Sequence, residues 1–280
     1  MQYLNLGCGN RYKPGWINID FASRSPDVLS HDLKAGIPMP EKSVDVVYHS
    51  HVLEHFSREN AEFFLEECYR VLRSSGIIRV VVPDLENIVR EYLSVLDSIN
   101  SGSSELNANH EWIVIEMLDQ MVRRSSGGEM LNYLSKEKLE NKQFIIRRMG
   151  TEISNIIESR KIPKPSYSRI NWSLKSFLQQ VKCFLTTPSY RKELFLRSFL
   201  NEEEYYKLQI GRFIESGEIH QWMYDSIALT DLLKKVGFIQ ILKRNAYDSY
   251  IGTWSEFNLD TESDGSVYKP QSLYMEAIKP

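Results

Sequence analysis

Apolar residues in the first hundred positions follow two spacings, one typical of strands and one typical of helices. Short apolar runs predict strands at residues 3–6, 16–20, 28–33, 44–48 and 77–82. Residues 57–72 and 84–98 carry apolar side chains at intervals of three and four, which predicts helices; Ser57 is the expected N-cap of the first helix and Gly76 its expected stop. Strands separated by helices favour an α/β fold with a mostly parallel sheet.

The pattern changes near residue 100. Ser101-Gly102-Ser103-Ser104 breaks the alternation, and from there to about residue 215 the spacing is mostly helical. A helix at 226–236, ended by Gly237, and strands at 238–242 and 273–278 then resume the alternation. We therefore predict one α/β core made of residues 1–98 and 219–280, with a helical substrate cap inserted as residues 99–218.

Composition narrows the class of protein. No run of 18 apolar residues predicts a transmembrane helix, and no charged segment followed by an apolar one predicts a secretory signal. The three cysteines are too widely spaced for a zinc motif and too few for a disulfide framework, so a cytoplasmic setting is expected. The net charge of −3 argues against a surface built as a whole for nucleic acid.

Candidate ligand-binding residues follow the predicted strands. The Gly7-Cys8-Gly9 turn comes directly after the first strand, Asp20 ends the second, and Asp32 follows the third. Ligands of open α/β sheets bind at the carboxyl ends of strands, where a carboxylate can accept hydrogen bonds from ribose hydroxyls. Tyr12 stands where the dinucleotide fingerprint needs its third glycine, which counts against NAD and FAD. The pattern favours another adenosine-containing ligand.

Five segments in order resemble the class I S-adenosylmethionine-dependent methyltransferases. They are Leu-Asn-Leu-Gly-Cys-Gly at 4–9, Asp20, Asp32-Leu33, the run from Val44 to His55, and Arg-Val-Leu-Arg-Ser-Ser-Gly at 70–76, with a similar late turn at 232–238. The resemblance covers about residues 1–98 and 219–280. It implies a Rossmann-like, doubly wound, mostly parallel sheet of about seven strands and S-adenosyl-L-methionine as the cofactor, with S-adenosyl-L-homocysteine as the product.

The resemblance also implies roles for single residues. Gly7, Cys8, Gly9 and Asn10 would line the methionine end of the cofactor, Asp20 would hold the ribose, Asp32 and Leu33 would hold the adenine, and His49 and His51 would lie near the methyl group. Glu54 and His55 are interpreted as structural. No metal ligands are assigned, although a divalent metal, which some relatives bind in this region, is left open.

The link between the first two strands departs from the family pattern. Only Asn10–Gly15 separate the glycine turn from the second strand, and Pro14-Gly15 breaks any helix there. The first helix is therefore expected to shorten to a turn. Arg11 or Lys13 would then neutralise the carboxylate of the cofactor, or else both are exposed loop cations.

Transfer of a methyl group to an alcohol needs a general base, and histidine suits neutral pH. The candidates are His220, where the chain returns from cap to core, and His51. The alternative for His220 is a packed histidine between cap and core. The segment His220-Gln-Trp-Met-Tyr-Asp225 resembles segments of methyltransferases from surface-polysaccharide and sugar-tailoring pathways.

The cap carries a local charge. Residues 136–192 contain 13 basic and 4 acidic side chains with aromatic residues between them, although Glu202-Glu203-Glu204 follows closely. A solvated helix face, a phosphate-bearing substrate or an anionic membrane surface would each account for it. The leading hypothesis is O-methylation of a sugar, nucleotide-linked or lipid-linked. The alternatives are a methyltransferase for a small amine or natural product, and a non-catalytic or RNA-binding module; no nucleic-acid partner is expected, and peripheral membrane contact through the cap is left open.

Overall fold

The computed structural model describes residues 1–23, 25–159, 184 and 186–280. A seven-stranded sheet in the order β3-β2-β1-β4-β5-β7-β6 forms its centre. The strands are β1 (Tyr3–Leu6), β2 (Ile17–Asp20), β3 (Val28–Ser30), β4 (Val44–Ser50), β5 (Leu72–Pro83), β6 (Ile239–Arg244) and β7 (Ser272–Ile278). The first five strands run parallel, and β7 is antiparallel to both of its neighbours. This confirms the predicted α/β fold with a Rossmann-like, mostly parallel sheet.

Helices flank and follow the sheet. They are α1 (Arg58–Val71), α2 (Leu85–Asn100), α3 (Asn107–Val122), α4 (Gly128–Leu134), α5 (Lys142–Met149), α6 (Thr151–Ser159), α7 (Pro188–Phe199), α8 (Glu202–Ile214), α9 (Ser226–Val236) and the short α10 (Trp254–Phe257). One sheet face is covered by α1 and α9, which bury an aliphatic core against β1, β4, β5 and β7. The opposite face is covered by residues 246–259, which pack an aromatic cluster around Trp16, Tyr48 and Trp254.

The predicted start of α1 is correct, but its predicted end is wrong. Ser57 caps α1, and its hydroxyl accepts a hydrogen bond from the amide of Asn60 at 3.3 Å, as predicted. The helix ends at Val71, however, and Gly76 lies inside β5. A Cβ at Gly76 would lie 2.8 Å from the carbonyl oxygen of Arg73, so close packing in the strand accounts for this glycine. Gly237 ends α9 with a φ of 109°, as expected.

Helices α2 to α6 build a separate hydrophobic core. Trp112 and Ile145 are fully buried there beside Tyr133 and Phe144. The division of the chain at residues 98 and 219 stays a prediction. In the described part of the chain, no helix is both long and apolar enough to cross a membrane.

A buried ion-pair network fastens the segment of residues 245–261 to the sheet. Arg79 on β5 is fully buried and lies 2.7 Å from both a carboxylate oxygen of Asp260 and one of Glu276. The hydroxyl of Tyr48 donates to Asp260 at 2.7 Å, and the indole of Trp254 donates to the same carboxylate at 3.1 Å. Because every buried charge in the network has a partner, the network holds this segment in one position.

We predict that Arg79→Leu lowers the free energy of unfolding by about 3–5 kcal/mol, because two buried carboxylates lose their cation. Urea denaturation at pH 7 measures the change. Arg90→Leu is the matched control: it removes an exposed pair with Glu86 and should cost less than about 1 kcal/mol. A loss below about 1 kcal/mol for Arg79→Leu would show that the network contributes little.

Candidate active site

A cavity of about 240 Å³ lies at the carboxyl ends of the parallel strands. It brings together five of the predicted site residues, Gly7, Asp20, Asp32, Leu33 and His51. They meet because neighbouring parallel strands end at the same edge of a sheet. We call it the first cavity. Its wall also includes His31, Val52, His55 and residues 215–217.

Glycine is required at the turn after β1. Gly7 and Gly9 have φ angles of 61° and 52°, which side chains rarely adopt. A Cβ on Gly7 would lie 2.3 Å from a methyl carbon of Val52, so the backbone also approaches its neighbour too closely for a side chain. The link from β1 to β2 contains no helix among residues 7–16, all of which are described, as the short spacing predicted.

Asp20 holds the glycine turn and faces the first cavity. One carboxylate oxygen accepts a hydrogen bond from the amide of Gly9 at 2.8 Å, and the other accepts one from the amide of Ala22 at 3.0 Å. Each oxygen keeps a second lone pair for a ligand hydroxyl. Asp32 caps the 3₁₀ helix of Leu33–Ala35 by accepting from the amide of Lys34 at 3.0 Å, and it also lines the first cavity.

Four predicted cofactor residues lie outside the first cavity. Gly9 and Asn10 line a neighbouring cavity of about 360 Å³. Cys8 is buried, and burial raises the pKa of its thiol to about 12. His49 is fully buried and packs against Phe64 of α1, with ring centroids 5.1 Å apart. His49 lies within β4, which continues to Ser50, and the His49 ring points to the sheet face that α1 covers. The structure therefore does not bring His49 to the first cavity.

The two cations of the β1–β2 link face the carboxyl-terminal segment. Arg11 lies 3.1 Å from a carboxylate oxygen of Glu262, donates to the carbonyl oxygens of Asn258 and Thr261, and stacks on Tyr268. Lys13 donates to the carbonyl oxygen of Glu256 at 3.4 Å. Both contacts hold this segment and both cations are half-buried, so they neither point at a carboxylate in the first cavity nor form an exposed pair of loop cations, contrary to both expectations.

A second cavity, of about 390 Å³, adjoins the first. His51 and His55 line both cavities, so the two meet at these histidines. His220 lines the second cavity only. Its remaining wall combines polar with apolar side chains and includes Glu116, Gln120, Arg123, Met130, Met149, Glu152, Glu218, Met223, Lys269 and Gln271.

A cluster of three histidines surrounds a buried carboxylate where the cavities meet. Glu54 is fully buried, and its Oε1 lies 3.2 Å from Nδ1 of His51. Nε2 of His51 lies 2.9 Å from the hydroxyl of Ser272. Nδ1 of His55 lies 3.2 Å from the carbonyl oxygen of Ile219, and the His55 ring is 4.8 Å from the ring of His220.

Main-chain hydrogen bonds assemble this cluster from distant parts of the sequence. The carbonyl oxygen of Glu54 accepts from the amides of Gln221 and Trp222 at 2.7 and 3.2 Å. The amide of His220 donates to the carbonyl oxygen of Gln120 at 3.0 Å. His51 leaves the strand with a φ of 55°, a left-handed conformation that turns the chain at the end of β4.

The electrostatics of the cluster favour an ionised Glu54 beside uncharged rings of His51 and His220. Burial would raise the pKa of Glu54, but His51, His220 and His55 outweigh it and bring the pKa to about 2. Burial lowers the pKa of His220 to about 3, although the nearby Glu54 acts in the opposite direction. Burial also lowers the pKa of His51, and Lys269 adds to that effect. At neutral pH the carboxylate is thus ionised and His51 and His220 are mostly uncharged.

The sequence interpretation did not assign a chemical role to Glu54 or His55. One signal was present: a histidine, an acid and a histidine stand at positions 51, 54 and 55, within about one helical turn of each other. Much of the predicted basic stretch, by contrast, falls on residues 160–183, outside the described residues, together with Tyr167, Trp172 and Phe177.

We predict that His49→Leu leaves the affinity for S-adenosylhomocysteine within about twofold of wild type and reduces acid destabilisation. Burial lowers the pKa of His49 from 6.5 to about 4. Between pH 6.5 and 4 this histidine is protonated in the unfolded chain but not in the folded one. The free energy of unfolding therefore falls by up to about 3 kcal/mol as the pH drops through this range. A leucine side chain at this position has no proton to bind, so the substitution should abolish that part of the loss, which urea denaturation at several pH values measures.

His110→Leu is the control for His49→Leu, because His110 lies on α3 against Tyr92, away from both cavities. It should keep the pH dependence of the wild type. A tenfold loss of S-adenosylhomocysteine affinity in His49→Leu would instead favour a direct role for His49 in cofactor binding.

Comparison with known proteins identifies the amino-terminal part of the chain. Residues 4–80 match the family model described as "Methyltransferase domain". A "probable S-adenosylmethionine-dependent methyltransferase" of Mycolicibacterium smegmatis is 41% identical over 98 residues, 29% of this chain and 37% of that protein. A protein of the same description from Mycobacterium tuberculosis is 44% identical over 64 residues, 22% of either chain. The chain thus spans 37% of the length of the first of these relatives and 22% of the second.

Solved structures are less similar. A SAM-dependent methyltransferase from Archaeoglobus fulgidus is 12% identical and covers 99% of this chain and 86% of its own, with a TM-score of 0.37. Another from Aquifex aeolicus is 18% identical, covers 30% of this chain and 57% of its own, and has a TM-score of 0.24. The sequence matches show that residues 4–80 resemble a methyltransferase domain and that the chain is similar in part to curated proteins described as probable S-adenosylmethionine-dependent methyltransferases.

Proposed function

We propose that this chain transfers a methyl group from S-adenosylmethionine, held in the first cavity, to an acceptor held in the second. One observation carries the proposal. The first cavity contains Gly7, Asp20 and Asp32, which follow three neighbouring parallel strands. This cavity meets the second cavity at His51 and His55. A methyl group at that junction would be exposed to an acceptor on the other side. Positioning of this kind supplies much of the rate, because the sulfonium is itself the reactive group.

In the proposed complex the cofactor follows the strand ends. Asp20 accepts hydrogen bonds from the ribose hydroxyls with the lone pairs that Gly9 and Ala22 leave free. Asp32 and Leu33 take the adenine, and the open backbone of Gly7 faces the methionine end. Cys8, Gly9 and Asn10 support the turn from outside the first cavity.

The proposed chemistry is an in-line displacement. The acceptor oxygen attacks the methyl carbon, the new carbon–oxygen bond forms as the carbon–sulfur bond breaks, and S-adenosylhomocysteine leaves. The acceptor proton passes to His51, whose Nδ1 faces Glu54, so the carboxylate orients the ring as in other histidine–carboxylate pairs. The acceptor hydroxyl would take the position that the hydroxyl of Ser272 holds beside Nε2. His220 is the second candidate base, since it lines the second cavity and is uncharged.

A sugar hydroxyl is the proposed acceptor. The second cavity offers carboxylates and amides for hydroxyl groups, and the buried Oε1 of Gln271 has no hydrogen-bond partner within the described residues, which a hydroxyl would supply. An attached phosphate would have to compete with Glu218 for Arg123 and with Glu152 for Lys269. The same wall also carries three methionines, which favour a small natural product as the alternative acceptor; they are Met130, Met149 and Met223.

We place the reaction in the cytoplasm, as the free thiols of Cys8 and Cys68 suggest.

We expect Asp20→Ala to weaken S-adenosylhomocysteine binding by about 10–100-fold, because hydrogen bonds to a charged group contribute about 1.5–3 kcal/mol. Isothermal titration calorimetry at pH 7.5 measures it. Asp27→Ala is the control, because it removes an equal charge from an exposed position in the same loop. The absence of S-adenosylhomocysteine binding in the wild type would refute the proposed function.

We expect His51→Gln to lower kcat by about 10²–10⁴-fold at pH 7.5 while S-adenosylhomocysteine affinity stays within about threefold. Burial lowers the pKa of His51, so wild-type kcat should fall on acidification, as the base becomes protonated, at a lower pH than an exposed histidine base would give. Methyl-transfer assays on panels of sugars and small natural products provide the acceptor. A loss confined to His220→Gln would make His220 the base, and full activity in both variants would exclude a histidine base.

A further inference from the structure

The buried cluster contains three side chains of the kinds that bind metal ions. One carboxylate oxygen of Glu54 and one ring nitrogen each of His55 and His220 all lie within 4.8 Å of one another. We propose that these three residues bind a divalent transition-metal ion at the wall of the second cavity. The three atoms would move inwards around an ion to reach ligand-to-metal distances of about 2.0–2.2 Å.

Glu54 needs a cation that its neighbours do not provide. Its side chain is fully buried; Oε1 lies 3.2 Å from Nδ1 of His51, and Oε2 has no hydrogen-bond partner within the described residues. No lysine or arginine among those residues forms an ion pair with this carboxylate. A buried carboxylate is normally paired with a cation or with several hydrogen-bond donors. The Arg79 network shows the usual solution, in which a guanidinium faces each buried carboxylate.

The two histidines present nitrogen atoms suited to a metal. Nδ1 of His55 donates its proton to the carbonyl oxygen of Ile219, which leaves the lone pair of the neutral ring on Nε2. Metal-binding histidines commonly donate their other N–H to a backbone carbonyl in this way. His220 is 4% exposed, and its buried Nδ1 has no hydrogen-bond partner among the residues that the structure describes. The cluster therefore contains two buried groups with an unpartnered atom, Glu54 and His220. In the third, His55, a hydrogen bond to the main chain orients the ring.

Main-chain contacts hold the three ligands in place. Glu54 and His55 are consecutive in the 3₁₀ helix of Leu53–His55. The amide of Gln221 donates to the carbonyl oxygen of Glu54, and its side-chain amide donates to the carbonyl oxygen of His55 at 3.1 Å. His220, between Ile219 and Gln221, is thus fixed against the helix. Ligands held by backbone in this way give a rigid site.

The ligand set selects the class of metal. Two imidazoles and one carboxylate suit Zn²⁺, Mn²⁺, Fe²⁺, Co²⁺ or Ni²⁺, whereas Mg²⁺ and Ca²⁺ prefer oxygen ligands throughout. Three protein ligands leave coordination positions open, and His55 and His220 both line the second cavity. An acceptor hydroxyl bound there would have a lowered pKa, and its proton would pass to His51. This role depends on the proposed function, but the binding of the ion does not.

Cobalt titration tests the site directly. Untagged protein, stripped with EDTA and free of cofactor, is titrated with Co²⁺ and followed by visible absorption and calorimetry. We expect one equivalent to bind with d–d absorption bands and Zn²⁺ to displace it. Glu54→Gln, which keeps the side-chain shape, and His55→Ala, at a half-buried position, should each weaken binding by about 100-fold or more. His110→Ala should bind as the wild type does.

The possible results separate the two proposals. Absence of saturable Co²⁺ binding in the wild type, or unchanged binding in both folded variants, would overturn the metal site. Circular dichroism establishes that the variants are folded; if Glu54→Gln is not, His55→Ala and the wild-type titration decide. Co²⁺ binding without S-adenosylhomocysteine binding would keep the metal site and refute the methyltransferase proposal. The reverse result would refute the metal site alone.

Discussion

Two main-chain hydrogen bonds to the carbonyl oxygen of Glu54 determine the arrangement of the candidate active site. They come from Gln221 and Trp222, and Gln221 lies 166 residues from His55 in the sequence. They tie the segment that carries His220 to the end of β4, and the bond from the amide of His220 to the carbonyl oxygen of Gln120 ties it to α3. The end of β4, the 3₁₀ helix that follows it and the chain returning from the helical region thus form the surface where the first cavity meets the second.

The protein treats its buried carboxylates in two different ways. On the aromatic face of the sheet, Asp260 and Glu276 share the guanidinium of Arg79, and hydrogen bonds from Tyr48 and Trp254 complete the network. Such a network stabilises one conformation and leaves no capacity for a ligand. At the cavities, Glu54 forms an ion-pair contact with the imidazole of His51 and lies beside those of His55 and His220. Incomplete compensation of a buried charge is a cost to stability that functional sites commonly carry.

The same contrast explains the histidines. His49 and His51 are two residues apart, yet the ring of His49 packs in the aliphatic core while His51 reaches both cavities. The left-handed backbone of His51 ends the strand and turns its side chain towards the cavities. A pattern of apolar residues does not reveal where a strand of this kind ends, so the sequence could not separate a histidine packed in the core from one that lines a cavity. The misplaced stop at Gly76 has a similar cause, since a glycine required by packing and one required by a turn look alike in sequence.

The sequence by itself determined the strands, the helices and the chemistry at three strand ends. Local spacing specifies these features, and a parallel sheet brings Gly7, Asp20 and Asp32 to one edge whatever else the chain does. Only the tertiary structure decided which histidines meet. His220 joins Glu54 and His55 through hydrogen bonds between distant segments, and no local pattern encodes that contact. Residues of the first cavity could therefore be predicted from short motifs, whereas the second cavity depended on how the returning chain packs over the strand ends.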